Sequence, residues 1–266
     1  MKSIFRALWK FRHFIASSIH GELKRRFARS RLGALWFILH PLMQAAIFAL
    51  VLSEFLAAKL PGVTNKASYA IYLMGGLAAW GLFAEIVNRC TTIFIEYGGM
   101  LKKISFPRLC LPVIVGGSAL LNHVLLLIAI PVVFLFFGHF PGAAWSVLPL
   151  GMLIIAALGF GLGVLLGIFN VFVRDVGQVL TVAMQIWFWL TPIVYTAGTG
   201  ALSKNLSWLA VLNPMAPLVK VYQDAMLYNT YPQWRTLLIP ILVATTLFIL
   251  SFVVFRRASA DLVDAL

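Results

Sequence analysis

Long apolar runs alternate with short charged segments along most of the chain. A membrane-spanning helix needs about 20 consecutive apolar residues, and six runs reach or approach that length. They lie at 32–55, 69–87, 109–137, 147–169, 179–195 and 237–255. Strands of a membrane barrel would instead alternate apolar and polar residues. The pattern therefore predicts an all-α polytopic membrane protein with six transmembrane helices.

The composition supports this prediction. Of the 266 residues, 62% are hydrophobic and 11% charged, and the mean hydropathy is +0.96. Soluble domains carry about 25% charged residues, so a soluble globular protein, a disordered chain and a secreted disulfide scaffold are excluded. The two cysteines, Cys90 and Cys110, form neither a disulfide framework nor a zinc-binding spacing.

The net charge of +13 would suggest a nucleic-acid partner in a soluble protein. In a membrane protein, basic residues first of all fix the topology, because they stay on the cytoplasmic side. With the N-terminus inside, sixteen of the 21 lysines and arginines fall on the inner side. We therefore expect both termini in the cytoplasm and no nucleic-acid partner.

Residues 1–31 lack the apolar core of a signal peptide, so we expect them to be retained.

Residues 1–31 combine an amphipathic pattern with a basic cluster. At helical spacing, Ile15, Ile19 and Leu23 fall on one side and charged or polar residues on the other, as in a helix that lies in the membrane interface. The cluster before the first span contains Arg25, Arg26, Arg29 and Arg31. It can anchor the chain to anionic lipid or attract the phosphate of a lipid-linked substrate.

The inner loop 89–108 mixes apolar and charged residues around a Gly98-Gly99 pair. A short helix that presents Tyr97, Met100 and Leu101 to a partner would explain this mixture, and an interfacial turn is the alternative. At its start, Glu85 and Arg89 have the spacing of a favourable helical ion pair, which indicates local neutralisation rather than a gate.

The outer segment 197–234 is too long for a turn and too short in its apolar runs to span. It predicts two short re-entrant helices in the outer leaflet. After the last span, residues 256–266 carry Asp261 and Asp264, and we expect a solvated cytoplasmic tail.

Polar and small residues within the spans suggest packing rather than catalysis. Gly159, Gly163 and Gly167 recur at a spacing that allows close helix approach. Asn122 and His123 lie near the middle of the third span. Either an interhelical hydrogen bond or a functional site would explain polar residues at that depth. The chain has no Gly-Lys dipeptide and no acid cluster within its spans, so it predicts neither a phosphate-loop ATPase nor an enzyme. We expect no cofactor and no metal site in this chain.

Aromatic residues concentrate near the span ends. Such residues form interfacial belts, and some can instead face a channel and stack on sugar rings. The candidates for the channel are Trp36, Phe37, Trp187, Phe188, Trp189 and Tyr195.

Five motifs occur in an order that resembles ABC-2 type permeases that export polysaccharides. The five motifs cover about residues 20–255. The first is a basic segment followed by Leu32-Gly33-Ala34-Leu35-Trp36 and His40-Pro41, and the second is Lys102-Lys103-Ile104-Ser105-Phe106-Pro107-Arg108. The third is Asn170 to Val176, which contains Arg174-Asp175, the fourth is Thr191-Pro192-Ile193-Val194-Tyr195, and the fifth is Asn213-Pro214-Met215-Ala216-Pro217. His40 stands where that family usually has Asn.

The resemblance implies a homodimer that works with two copies of a separate ATPase subunit, which binds ATP and Mg²⁺. It implies a cytoplasmic coupling helix that docks on the ATPase through Glu96, Tyr97, Met100, Leu101, Lys102 and Lys103, with Arg174 and Asp175 as a second inner contact or a brace. Residues 1–31 would guard substrate access, and residues 197–234 would be periplasmic re-entrant helices.

The implied cargo is polysaccharide linked to undecaprenyl diphosphate, with O-antigen favoured, moved across the bacterial inner membrane. Capsule polymer, teichoic acid or a small amphiphile remain alternatives, although the short outer loop 56–68 favours polymer. A polyprenyl-phosphate glycan transferase and a channel without energy coupling are the alternatives from other classes.

Overall fold

A computed structural model describes residues 6, 9–28, 35, 36, 39, 43, 66–103, 107–136, 138–195, 212–258 and 261–264. Every regular element in these ranges is helical, which confirms the all-α prediction. Most of the predicted first span and residues 196–211 lie outside the described residues. Arg29, Arg31 and Phe37 also lie outside them.

We number the described helices in chain order. They are α1 (Arg12–Ala28), α2 (Lys66–Glu96), α3 (Gly98–Lys103), α4 (Cys110–Phe136), α5 (Leu148–Phe172), α6 (Asp175–Leu190), α7 (Met215–Gln223), α8 (Leu238–Ala258) and α9 (Asp261–Asp264). Within the described residues, four stretches are long and apolar enough to cross a membrane: Ser68–Glu96, Cys110–Val132, Ala143–Phe172 and Trp234–Ala258. They correspond to the predicted second, third, fourth and sixth spans.

Two described helices end at other positions than the predicted apolar runs, for local reasons. Helix α2 continues to Glu96, so the inner loop is shorter than predicted, because residues 88–97 contain no glycine or proline. Helix α6 ends at Leu190 rather than Tyr195, because Pro192 has no N–H group and disfavours helix in the residue before it.

Glycines bring α5 against two neighbours. A Cβ atom at Gly159 would lie 3.2 Å from the Ile86 Cβ of α2, and one at Gly163 would lie 2.8 Å from the Cys90 Cβ. At Gly167 it would lie 2.4 Å from the Cys90 carbonyl oxygen. Gly161 approaches the α8 backbone in the same way. The close helix packing predicted for the glycine series is therefore confirmed.

One buried side chain, Asn170, shows which helix ends lie together at the end of the bundle that carries α3. Asn170, near the end of α5, donates from Nδ2 to the Thr91 carbonyl oxygen of α2 at 3.0 Å and accepts from the Gly177 N–H of α6 at 3.0 Å. The end of α2, the end of α5 and the start of α6 therefore lie together.

Helix α9 also contacts this end. Its Leu262 is 1% exposed, and the helix lies against α3 and α5. The predicted tail therefore packs on the bundle at Leu262, because this apolar side chain has a core surface within reach. Asp261 is exposed, as expected.

Candidate functional site

Helix α3 presents a mixed surface at its end of the bundle. A single turn residue, Tyr97, separates α2 from α3, and its carbonyl oxygen accepts from the Leu101 N–H at 2.9 Å. Tyr97 is 38% exposed, whereas Leu101 is 8% exposed and belongs to the core. Glu96 and Lys102 are exposed and Met100 is half-buried. The short helix predicted from the sequence is present, and it turns Tyr97 outward and Leu101 inward.

The α5–α6 connection lies at the same end. Arg174 and Asp175 are both exposed, and the connection is fixed from beneath by Asn170. Within the Asn170 to Val176 motif, the buried Asn170 therefore fixes the conformation of the connection, and the two charged residues face outward. A contact with a partner through Arg174 and Asp175 stays a prediction.

A polar network joins α1 to the bundle. The sequence predicted the Glu85–Arg89 pair in this network but not the contacts that Glu22 makes. The Arg89 Nη1 donates to Glu85 Oε1 at 3.4 Å, the pair predicted from the spacing. Arg89 Nη2 also pairs with Glu22 Oε1 of α1. The Ser118 hydroxyl of α4 donates to Glu22 Oε2 at 2.8 Å, and Asn122 Nδ2 donates to Glu85 Oε1 at 3.1 Å. Three helices thus share one guanidinium and two carboxylates.

Helix α1 carries part of the predicted basic cluster. Arg25 is exposed and Arg26 lies in the last turns of α1. Ile15, Ile19 and Leu23 are partly buried, in agreement with the apolar side read from the sequence. A role of the arginines in substrate binding stays a prediction.

Helix α6 exposes polar side chains along one stripe. Gln178, Thr181 and Gln185 are all exposed, and at 100° per residue they fall within about 60° of one another. Trp189, 52% exposed, lies on the same side. Gln185 is ten residues into the helix, about 15 Å along its axis. The Thr181 hydroxyl donates to the Gly177 carbonyl oxygen of its own helix at 3.0 Å. The amide of Gln185 is therefore the group at this depth that requires water or a polar surface, because lipid cannot satisfy it.

The aromatic candidates divide between the interior and the surface. Trp187 and Phe188 form a cluster with Trp80 and Phe83 of α2, with ring centroids 5.1–6.3 Å apart. Tyr195 is 9% exposed and donates from its hydroxyl to the Trp189 carbonyl oxygen at 3.0 Å. Trp36 and Trp189 are each about half exposed, at 51% and 52%. The channel role of these residues stays a prediction.

Residues 191–195 are non-helical and wholly buried. Side chains donate hydrogen bonds to their carbonyl oxygens. The Tyr69 hydroxyl donates to the Val194 oxygen at 3.0 Å and the Tyr72 hydroxyl to the Tyr195 oxygen at 3.1 Å. Gln223 Nε2 donates to the Pro192 and Ile193 oxygens at 3.2 Å each. Irregular backbone at membrane depth is tolerated where protein satisfies it. These donors explain how the chain leaves α6 without exposing its backbone to lipid.

Asn213 explains the second outer motif. Its Oδ1 accepts from Trp187 Nε1 at 2.8 Å and from the Met215 N–H at the start of α7 at 3.0 Å. Its Nδ2 donates to Thr191 Oγ1 at 2.9 Å. The Asn-Pro motif therefore fastens α7 to the end of α6.

His123 makes an interhelical contact, one of the two alternatives that the sequence analysis gave for this residue. Its Nε2 lies 2.8 Å from the Tyr222 hydroxyl of α7, and both side chains are buried. Among the described residues, no group of three or more His, Cys, Asp or Glu side chains could hold a metal ion.

Comparison with known proteins gives the family. The ABC-2 type transporter family matches residues 14–227. This chain belongs to that family. The resemblance drawn from the five motifs is therefore confirmed, and the apolar helices are those of a multi-pass membrane permease.

Three relatives of this ABC-2 permease are named as O-antigen export system permease protein RfbA. One from Klebsiella pneumoniae is 28% identical over 217 residues, covering 79% of this chain and 78% of the relative. One from Myxococcus xanthus is 27% identical over 240 residues, covering 90% and 89%. A second from Klebsiella pneumoniae is 27% identical over 210 residues, covering 76% of each. A permease of this family is a transport subunit that normally works with an ATPase subunit.

Proposed function

We propose that this permease is the transmembrane subunit of an ATP-driven exporter of undecaprenyl-diphosphate-linked polysaccharide, with O-antigen as the cargo. Two copies form the passage and two ATPase subunits bind at the α3 end. The exporter lies in the bacterial inner membrane with both termini in the cytoplasm. The names of the three relatives favour O-antigen over capsule polymer, teichoic acid and small amphiphiles.

The polar stripe of α6 is the observation that carries the transport proposal. Gln178, Thr181 and Gln185 are exposed along a line that runs from the α3 end of α6 to about 15 Å along its axis. Amide and hydroxyl groups exchange hydrogen bonds with sugar hydroxyls as readily as with water. Trp189, on the same side, offers a flat apolar ring to the C–H face of a sugar. We assign this face to the passage that the glycan follows.

The surface at the α3 end supports a soluble partner. Tyr97 and Lys102 from one connection and Arg174 and Asp175 from the other are exposed at one end of the bundle. An exposed aromatic ring among charged residues is typical of a docking surface. The permease family normally works with an ATPase subunit, which is the partner we assign to this surface.

The basic part of α1 supports a phosphate-bearing substrate. Arg25 and Arg26 lie on the last turns of α1, and Arg29 and Arg31 follow in the sequence. Guanidinium groups bind phosphate through paired hydrogen bonds. We propose that these four arginines attract the lipid diphosphate before the glycan enters the passage.

Depletion of the permease tests the proposed cargo. After depletion, undecaprenyl-diphosphate-linked glycans are extracted and separated by the side of the inner membrane on which they lie. We expect long glycan to accumulate on the cytoplasmic side and to disappear from the cell surface. Re-expression of the intact chain, as the control, should reverse both changes.

Two results would contradict the proposal. Unchanged surface glycan without accumulation would exclude polymer export and favour a small amphiphile. Loss of the lipid-linked glycan itself would indicate a biosynthetic role.

A further inference from the structure

A carboxylate, Glu22, and an apolar side chain, Ile19, are among the groups that attach α1 to the bundle. The two oxygens of Glu22 are used by different helices: Arg89 of α2 pairs with one, and Ser118 of α4 donates to the other at 2.8 Å. Near this point, Ile19 Cδ1 lies 2.5 Å from where a Cβ atom at Gly117 would stand. The absence of a side chain at Gly117 therefore makes room for Ile19.

The Glu22–Arg89 pair is stronger than an ordinary surface pair. The Glu22 and Arg89 side chains are 18% and 26% exposed, so solvent screens them only in part. The pair also includes a charge-assisted hydrogen bond from a serine hydroxyl. Fully exposed ion pairs contribute little, because water and salt screen them.

The two ends of this ion pair differ in how firmly they are held. Arg89 is also bound by Glu85 on its own helix, and Asn122 of α4 donates to the same Glu85 oxygen. Without Glu22, Arg89 therefore keeps a carboxylate partner within the bundle. Glu22 stands on α1, so its loss removes an attachment of that helix to the bundle.

The arginines assigned to the lipid diphosphate lie one helical turn further along α1. Arg25 and Arg26 follow Glu22 by three and four residues, a spacing that places them next to it on a helix. Any change in how Glu22 is seated therefore moves these two arginines.

We propose that Glu22, Arg89 and Ser118 form a clasp that positions α1, and with it Arg25 and Arg26, for the phosphate-bearing head of the substrate. The three are positioning residues. This inference rests on the proposed function, because it assigns a task to α1 within lipid-diphosphate access.

Disulfide formation between Ile19→Cys and Gly117→Cys reports the seating of α1 without any need for transport. Ile19 Cγ1 lies 3.5 Å from the Cβ position at Gly117, so two cysteine sulfurs there come within disulfide range. The double variant is oxidised in membranes, and its free thiols are counted by a maleimide that adds mass. Cys90 and Cys110 are both buried, and the two single-cysteine variants control for their reaction.

The cross-linked fraction is then compared in three backgrounds. Glu22→Gln and Ser118→Ala should each lower it, with Glu22→Gln lowering it roughly fivefold or more, as expected for loss of a charge-assisted contact. Glu85→Gln is the matched control, because it removes a carboxylate from the same arginine and keeps the Glu22 contacts with Arg89 and Ser118, and it should leave the fraction unchanged.

Export of lipid-linked glycan is measured for the same substitutions in the chain without added cysteines. The clasp predicts that Glu22→Gln lowers the export rate at limiting substrate and that a greater supply of lipid-linked glycan restores it. Glu22→Asp keeps the charge and should restore part of both readouts. Permease abundance must match the unmodified chain.

The outcomes separate this inference from the proposed function. A cross-linked fraction that Glu22→Gln leaves unchanged overturns the clasp. Loss of the cross-link with normal export at all substrate levels overturns its positioning role. If depletion shows that the cargo is not a lipid-linked glycan, the proposed function fails, together with the substrate-positioning role. The cross-link would still decide whether the clasp exists.

Discussion

Single residues decide how closely the central helices approach. At Gly167, a Cβ atom would lie 2.4 Å from the Cys90 carbonyl oxygen, and a backbone atom cannot move aside as the end of a flexible side chain can. The spacing of the glycines predicted this packing from sequence. Glu22 could not be predicted in the same way, because its partner Arg89 is 67 residues away and no local spacing connects them.

Gly167→Ala is expected to destabilise the permease. The added methyl group forces α5 away from α2, and overpacking of this kind costs about 1–3 kcal/mol. Gly81→Ala is the matched control, because the space around that position on α2 is open. Thermal unfolding in detergent should show a lower midpoint for Gly167→Ala alone. Equal midpoints for the two variants would mean that α5 and α2 are less tightly packed than the structure has them.

At the scale of elements, the apolar runs located the four long helices well and their ends poorly. Hydrophobicity reports where a chain can lie in lipid, whereas helix ends depend on proline, glycine and tertiary contacts. Helix α2 thus passes beyond its apolar run to Glu96, and α6 stops before Pro192. The buried segment 191–195 depends on donors from α2 and α7, which no local pattern reveals.

The stripe on α6 gives a prediction about transport. Gln178→Leu combined with Gln185→Leu keeps the size of both side chains and removes their hydrogen-bonding groups. We expect reduced surface glycan at normal permease abundance, because the passage loses polar contacts with sugar hydroxyls. Val179→Leu combined with Ala183→Leu changes two exposed positions that lie 100–140° around the same helix from Gln178 and should leave export unchanged. Normal export in the glutamine variant would remove this face of α6 from the passage.

For the whole molecule, the sequence predicted the helical class and the ABC-2 family because both leave distributed signals. Apolar runs extend over whole spans, and five motifs occur in order. The α3 surface is harder to predict, because its function depends on which residues face outward. Tyr97, Met100 and Leu101 are near neighbours in the sequence, yet only Tyr97 is exposed, whereas Leu101 belongs to the core.

This difference gives a test of energy coupling. Tyr97→Asp places a charge in the exposed turn before α3, where docking of the ATPase subunit would have to bury it, and burial of an unpaired charge is costly. We expect ATPase co-purification to fall at least tenfold, equivalent to about 1.4 kcal/mol, while permease abundance stays normal. Phe140→Asp is the matched control, since Phe140 is 72% exposed in the α4–α5 connection at the opposite end of the bundle. ATPase recovery that Tyr97→Asp leaves unchanged would exclude this surface of α3 from the docking site. A loss of recovery in Phe140→Asp as well would indicate a general defect of assembly.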